Sequence, residues 1–169
     1  MAATIQISET NGTSPGTVTD GVSNLNFGST DATGLTTTSY PITPGNNAYE
    51  KWIRFKVSSM GTSLKIDNLR VYTPDGTFPV SAGTYLKVNA KTSAYSAATY
   101  ATPTASTSTV AVNAIAETEP AANLGIGGSL TGSFTAAGYS DYLALQIQTN
   151  ASDTVGATIS VRIRYDEIA

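Results

Sequence analysis

The sequence contains no cysteine and no histidine. Without cysteine the chain has neither disulfides nor thiolate sites, so packing, hydrogen bonds or association with other chains must stabilise it. Without histidine it lacks the usual general base of Ser-His and Cys-His enzymes and the most common ligand of zinc and iron. We therefore expect a protein that is not an enzyme and that has no catalytic residue, no cofactor and no metal ion.

Charge is also scarce, since only 12% of the 169 residues are charged and the net charge is −3. A nucleic-acid-binding protein needs clustered Lys and Arg to neutralise phosphates, so the acidic balance argues against one. No apolar run approaches the roughly 20 residues of a transmembrane helix. The first ten residues, MAATIQISET, lack the basic and then apolar order of a signal peptide. We expect one soluble domain over residues 1–169, made in the cytoplasm, without nucleic-acid or membrane partners.

Apolar residues instead recur at every second position in three segments, which is typical of strands with one buried face. The segments are KWIRFKV (51–57), DYLALQIQTN (141–150) and the closing ATISVRIRYDEIA (157–169). In the first segment one face is apolar, and the other carries Trp52, Arg54 and Lys56. In the last, Arg162 and Arg164 lie opposite an apolar row that predicts a central place for this strand.

Weaker alternation predicts further strands at Thr4–Ser8, Val22–Phe27, Thr84–Ala90, Ser108–Val112 and within 124–135. In SLKIDNLRVYTP (63–74) the apolar residues first occupy even positions, Leu64 and Ile66, and then odd positions, Leu69 and Val71. One extra residue in a strand produces such a switch. The sequence therefore predicts a β-bulge at Asp67–Asn68.

Between these segments the sequence is rich in Gly, Pro, Asn, Ser and Thr, which favour turns and extended backbone over helix. Two stretches, 28–49 and 92–109, predict long loops, which in a compact domain are usually functional, mobile or ordered against a partner. No window shows a 3.6-residue period. The pattern predicts an all-β fold, an antiparallel β-sandwich or jelly-roll-like single domain with long Thr/Gly/Ser-rich loops.

Two patterns resemble catalytic motifs, but each has a simpler structural interpretation. GIGG (125–128) is glycine-rich, yet no P-loop lysine follows it, so we interpret it as a flexible turn. Two acidic pairs could serve a glycosidase, namely Glu117 with Glu119 and Asp166 with Glu167. Sequence neighbours in a strand point to opposite faces, which favours solvated charges or ion pairs.

Acidic turns offer oxygen ligands that calcium could use. The turns are TDG (19–21), TDATG (30–34) and TPDG (73–76). A PDG sequence is more often simply a turn, with Pro at an early position and Gly taking a positive φ. We therefore interpret these acids as turn residues and expect no metal site.

The aromatic residues allow two hypotheses. An exposed aromatic row on a β-sandwich could stack against sugars, as in a carbohydrate-binding module. Protein interfaces also favour Tyr, Trp and Arg, and Trp52 shares its strand face with Arg54 and Lys56. We prefer the second hypothesis, a candidate interface made of Trp52, Arg54, Lys56, Arg162 and Arg164.

Three stretches resemble a group of structural proteins of tailed bacteriophages. They are ATIQISETNGTSPGTVTDGVSNLNFGSTDA, YEKWIRFKVSSMGTSLKIDNLRVYTPDG and GYSDYLALQIQTNASDTVGATISVRIRYDE. The resemblance spans nearly the whole chain. It lies in the general character and order of these stretches and includes no catalytic motif. It implies a β-sandwich that assembles in many copies on the virion, foremost as a capsid decoration (cement) protein that stabilises the shell.

The resemblance also implies partners and a location. The partners are the major capsid protein or other virion subunits, together with copies of this chain, for which a trimer is favoured. The location is the virion, assembled in the host cytoplasm. Two alternatives stay open: a tail, neck or fibre component of the phage, and a carbohydrate-binding β-sandwich module.

Overall fold

The computed structural model describes residues 1–13, 15–73, 85–90, 113–114, 119–121, 133–153 and 160–169. All regular structure in these residues is β-strand, so the prediction of an all-β fold is confirmed. None of the described segments forms a helix long and apolar enough to cross a membrane. The strands are β1 (Thr4–Asn11), β2 (Thr17–Asp20), β3 (Lys51–Ser59), β4 (Lys65–Tyr72), β5 (Tyr85–Ala90), β6 (Asn113–Ala114), β7 (Gly138–Tyr139), β8 (Leu143–Gln148) and β9 (Arg162–Ile168).

The strands form two antiparallel sheets. The larger sheet has the order β2-β1-β3-β8-β5-β6, and β7 also pairs with β3. In its centre, β1 pairs with β3 through partners such as Ile7 with Phe55 and Thr10 with Trp52. The smaller sheet consists of β4 and β9. Since sequence-distant strands meet in both sheets, neither sheet is a simple hairpin.

The two sheets pack face to face over two apolar clusters, each of which takes residues from both sheets. The first cluster consists of Ile53, Val71, Leu86, Leu143 and Leu145. The second consists of Phe55, Val57, Ile66, Leu69 and Phe134. Ile7 and Ile163 pack against both clusters. Because burying each such side chain contributes about 1.5–3 kcal/mol of transfer free energy, this layer is what holds the sheets together.

The predicted bulge in β4 is confirmed. Pairing of β4 with β9 shifts register between Asp67 and Arg70, and Asn68 has a φ of 51°. Ile66 before the shift and Leu69 after it are both buried, although they differ in parity. The extra residue thus turns both halves of the strand toward the core.

One strand prediction needs correction at the level of burial. β8 is buried on both faces from Leu143 to Gln146 rather than on one. Gln146 donates a side-chain hydrogen bond to the Ala48 carbonyl at 3.0 Å. In the described part of the chain β9 pairs with β4 alone, and its Ile163 packs against both apolar clusters.

Other predictions have mixed outcomes. The strands expected at Thr4–Ser8 and Thr84–Ala90 correspond to β1 and β5. Residues Val22–Phe27 form no strand; Leu25 and Phe27 pack against the first cluster from irregular backbone. The strand expected at Ser108–Val112 and the loop at 92–109 lie outside the described residues, as does most of 124–135. The pattern did not predict the short strands β2 and β7.

Candidate interface surfaces

Trp52 is not part of an exposed face. Its side chain is only 2% exposed, and its indole Nε1 donates a hydrogen bond to Glu50 Oε2 at 3.0 Å. Its ring packs edge to face against Tyr142, with 5.7 Å between centroids. The alternation in β3 correctly placed Trp52 opposite the apolar core, but neighbouring residues cover that end of the face. The sequence expectation that Trp52 contacts a partner is therefore corrected.

Arg54 lies two residues after Trp52 on the same face of β3 and is half-buried. Its guanidinium carbon is 4.1 Å from the centroid of Tyr139 and 4.4 Å from that of Tyr142. Such cation–π contacts hold the planar guanidinium in place. Its Nε is buried and has no hydrogen-bond acceptor among the described residues. The rings thus fix the orientation of this arginine without neutralising its charge.

A bulge between β7 and β8 places both tyrosines beside Arg54. Lys56 pairs with Tyr139, and Ile53 pairs with Leu143. Three residues, 140–142, therefore lie opposite the two residues 54–55, which is the pattern of a β-bulge. Ser140 anchors it, since its backbone N–H donates to the Phe55 carbonyl at 2.8 Å.

The middle residue of this bulge, Asp141, has an unusual environment. It is 5% exposed, and neither of its carboxylate oxygens has a hydrogen-bond partner among the described residues. Desolvation by burial raises the pKa of its carboxyl group above the ordinary value. The bulge therefore buries a carboxyl group, and the described residues supply no hydrogen bonds to replace those that it would make with water.

Lys56 is neutralised locally by Asp20 of β2. The Lys56 Nζ and Asp20 Oδ2 atoms are 2.5 Å apart, and Ser8 Oγ donates to Asp20 Oδ1 at 2.6 Å. The hydrogen bond from Lys56, followed by that from Ser8, lowers the pKa of Asp20. The same contact with Asp20 raises the pKa of Lys56. On this face Arg54 is therefore the cation that has no carboxylate partner among the described residues.

The other predicted cations, Arg162 and Arg164, are exposed on β9. Arg162 lies 5.9 Å from the centroid of Tyr72 on the neighbouring strand. Arg164 forms an ion pair with Glu119, with 2.5 Å between Nη1 and Oε2. Hydrogen bonding to Tyr72 and then the charge of Glu119 raise the pKa of Arg164. Both arginines thus interact with Tyr72.

Asp166, which lies on the same strand as these arginines, pairs with Arg70 of β4. Arg70 Nη2 is 2.6 Å from Asp166 Oδ1, and Asn68 Nδ2 donates to Asp166 Oδ2 at 2.8 Å. Asn68 and then Arg70 lower the pKa of Asp166. Arg70 also approaches Glu119 at 3.3 Å. The outer face of the smaller sheet is therefore a connected network of charges.

The five predicted interface residues do not form one surface. Arg54 and Lys56 alternate with Phe55, which faces the core from the larger sheet. Arg162 and Arg164 alternate with Ile163, which faces the core from the smaller sheet. The two pairs of cations consequently lie on opposite outer sides of the packed sheets. Arg54 is close to Lys56, and Arg162 is close to Arg164, but the two pairs are separated by the core.

A buried polar network that sequence reasoning missed lies at the start of β3. Lys51 and Glu9, with side chains 1% and 0% exposed, are joined by 2.7 Å between Nζ and Oε1. Asn11 Nδ2 also donates to Glu9 Oε1, at 3.0 Å. One signal was present in the sequence: Lys51 shares parity with the core residue Ile53, and Glu9 shares parity with Ile7.

The acidic motifs of the sequence take part in internal contacts. Glu119 and Asp166 are in the ion pairs given above, and Glu167 accepts a hydrogen bond from the Ala3 N–H at 2.8 Å. Glu117 lies outside the described residues. Within the described segments no three acidic side chains come together in a way that could hold a metal ion.

Comparison with known proteins gives no identification. No family model, no curated protein and no solved structure matches the chain.

Proposed function

We propose that this chain is a non-enzymatic structural protein of a tailed-bacteriophage virion, and specifically a capsid decoration protein that binds the shell in many copies. The proposal starts from the resemblance of the sequence to phage structural proteins. It is supported by a molecule whose two sheets enclose the core and whose smaller sheet exposes Arg162 and Arg164 on its outer side. The major capsid protein would be the principal partner, and copies of the chain would be neighbours.

The observation that carries the proposal is the outer face of β9. Arg162 and Arg164 are exposed there, beside the buried Tyr72, and arginine is enriched at protein interfaces. The network counts three cations, Arg70, Arg162 and Arg164, against two acids, Glu119 and Asp166, which leaves one net positive charge. Such a surface is complementary to an acidic patch on a capsid subunit.

The first experiment asks whether the chain is part of a virion. Purified particles of the phage that encodes it are analysed by mass spectrometry and cryo-EM, and particles that lack it are incubated with the recombinant protein. We expect many copies per shell and an increase in the heat resistance of the particle. Finding the protein only in the tail, neck or fibre would replace decoration with one of those roles, and its absence from particles would overturn the proposal.

A second experiment tests the binding face with matched charge reversals. We expect Arg162→Glu with Arg164→Glu to abolish binding to particles, because the pair would then repel an acidic surface. Arg54→Glu with Lys56→Glu makes the same change of charge on the opposite side and should leave binding intact. Full occupancy by the first variant on shells that bind the wild type would overturn the role of β9 without affecting the virion assignment.

The carbohydrate-binding alternative loses its main structural support. It was based on an exposed aromatic row, and the one tryptophan of the chain, Trp52, is buried with its N–H bonded to Glu50. A sugar could reach it only after displacement of the covering residues.

A further inference from the structure

The buried network at the start of β3 holds three reactive side chains in one place. The register of β1 and β3 pairs Glu9 with Ile53 and Thr10 with Trp52. One more step places Asn11 directly opposite Lys51, and such cross-strand neighbours have Cβ atoms about 4.5–5.5 Å apart. Glu9 lies two residues before Asn11, so its side chain is on the same face of the sheet.

Glu9 links the other two side chains through a single atom. Its Oε1 accepts hydrogen bonds from Lys51 Nζ at 2.7 Å and from Asn11 Nδ2 at 3.0 Å. Proton exchange between the two nitrogens can therefore pass through one carboxyl group, which is the arrangement that general acid–base catalysis requires.

The amide of Asn11 is fixed and polarised. Its second N–H contact goes to Asp31 Oδ1 at 2.6 Å, and its carbonyl oxygen accepts a hydrogen bond from Thr33 Oγ1. A donor on the amide oxygen stabilises the negative charge that develops there when a nucleophile attacks Cγ.

The network also has an unmatched group that a purely structural ion pair would satisfy. Glu9 Oε2 is buried and has no hydrogen-bond partner among the described residues. Lys51 Nζ donates to Glu9 Oε1 at 2.7 Å and to the Ala32 carbonyl at 2.6 Å. The amino group of Lys51 is thus in direct contact with a carboxylate that can accept its proton, as activation of a lysine nucleophile requires.

We propose that Lys51 and Asn11 form an intramolecular isopeptide bond, with Glu9 as the catalytic proton carrier. The inference does not depend on the proposed virion function. The nearby side chains hold the reactants together, which replaces an encounter in solution by an intramolecular step. The product would join the end of β1 covalently to the start of β3.

The reaction balances without any co-reactant. Glu9 first accepts a proton from the Lys51 ammonium. The Lys51 amine then attacks Asn11 Cγ and forms the new C–N bond. Glu9 passes its proton to Asn11 Nδ2, the Cγ–Nδ2 bond breaks, and ammonia leaves. The second proton of Nζ returns to Glu9, so the products are a secondary amide, ammonia and a protonated Glu9, and no atom is oxidised or reduced.

The test is the mass of the wild-type chain, because it does not depend on any variant folding. We expect an intact mass about 17 Da, one ammonia, below that of the unmodified chain. Trypsin should fail to cleave after Lys51, and fragmentation should find a branched peptide joining residues 11 and 51. A loss of about 18 Da, one water, would place the bond on a carboxylate such as Asp31 and overturn the assignment to Asn11.

Variants separate catalysis from folding. Glu9→Gln has nearly the same shape, so we expect a folded chain of full mass in which trypsin cleaves after Lys51. Asn11→Ala should also have full mass, whereas Lys56→Gln, a lysine exchanged elsewhere on β3, should keep the loss. Folded wild-type protein that retains its full mass after prolonged incubation at neutral pH would overturn the proposal, as would a cross-link that persists in Asn11→Ala.

Discussion

Among the described residues other than glycine, Asn68 alone has a positive φ, at 51°. Side chains with a Cβ are disfavoured there by about 1–2 kcal/mol, and asparagine tolerates the conformation better than most residues because it bonds locally. Its N–H donates to Asp67 Oδ1 at 2.9 Å, and its side chain reaches Asp166. The bulge therefore depends on the type of residue at this one position.

We predict that Asn68→Ala is less stable than Asn68→Gly by about 1 kcal/mol. Both variants lose the hydrogen bond to Asp166, so the difference between them reports the strain at φ. The free energy of unfolding in urea measures it. Equal stabilities of the two variants would show that the positive φ contributes nothing.

Asp141 leads to a prediction of the opposite sign, since replacing it should stabilise the protein. Its carboxylate is buried without a partner, which costs about 1–3 kcal/mol. We expect Asp141→Asn to raise the free energy of unfolding at neutral pH by an amount in that range. Asp153 is a matched control, because its Oδ2 accepts the Asn150 N–H at 2.7 Å, and Asp153→Asn should not stabilise.

The effect of Asp141 should also depend on pH. Its pKa is raised in the folded state, so above the ordinary value of 3.8 the unfolded chain loses this proton first. The contribution of Asp141 to the free energy of unfolding therefore falls as pH rises through that window. Urea titrations of wild type and Asp141→Asn should diverge above about pH 4 and converge below it. A constant difference at every pH would contradict this account.

At the scale of elements, the turn between β3 and β4 holds the N-terminal segment. Gly61 has a φ of 57°, and the Thr62 N–H donates to the Met1 carbonyl at 2.8 Å. A Cβ at position 61 would lie 2.1 Å from the Met1 carbonyl oxygen. Glycine is required here for two reasons: it adopts the positive φ without strain, and it has no Cβ that would clash with Met1.

We predict that Gly61→Ala destabilises the protein more than Gly34→Ala does. Gly34 has a similar φ of 67°, but a Cβ there meets no atom within 4 Å. Each variant should lose about 1–2 kcal/mol through the backbone conformation, and Gly61→Ala should also displace Met1. Urea unfolding measures the first effect, and faster hydrogen exchange of the Thr62 N–H measures the second. Identical losses in both variants would contradict the predicted clash.

At the scale of the whole molecule, acidic side chains connect distant parts of the chain. Lys56 and Ser8 lower the pKa of Asp20, Asn68 and Arg70 lower that of Asp166, and Ser63 and the Ala3 N–H lower that of Glu167. Apart from the contact between Ser8 and Asp20, these contacts join segments that are far apart in sequence. Ionised carboxylates thus help to join β2 to β1 and β3, and β9 to β4 and the N-terminal segment.

These shifts predict weakening in acid. Because the folded pKa values lie below the ordinary 3.8 and 4.5, the unfolded chain binds more protons as pH falls, and the free energy of unfolding decreases below about pH 4.5. We expect a shallower decrease in Asp166→Asn, whose stability should already be reduced at pH 7. Urea midpoints between pH 6 and 2.5 measure this. An unchanged slope in the variant would show that Asp166 is not linked to folding.

The sequence determined the class of fold and much of its local detail. Strand positions and core-facing residues of β3 and β4 follow from alternation, because side chains of a strand point to opposite faces in turn. The bulge at Asp67–Asn68 followed from a change of parity for the same reason. Both properties are local, so they need no knowledge of neighbouring strands.

Only the tertiary structure decided what covers each face. Trp52 is on the face that alternation assigned to it, yet it is buried and contacts Glu50 and Tyr142. The cations of β3 and β9 lie on opposite sides because the strands belong to different sheets. Likewise, Glu9 and Lys51 each have a core-facing parity, but only the register of β1 with β3 makes them meet. Pairing and covering are non-local contacts, and a single strand's pattern does not contain them.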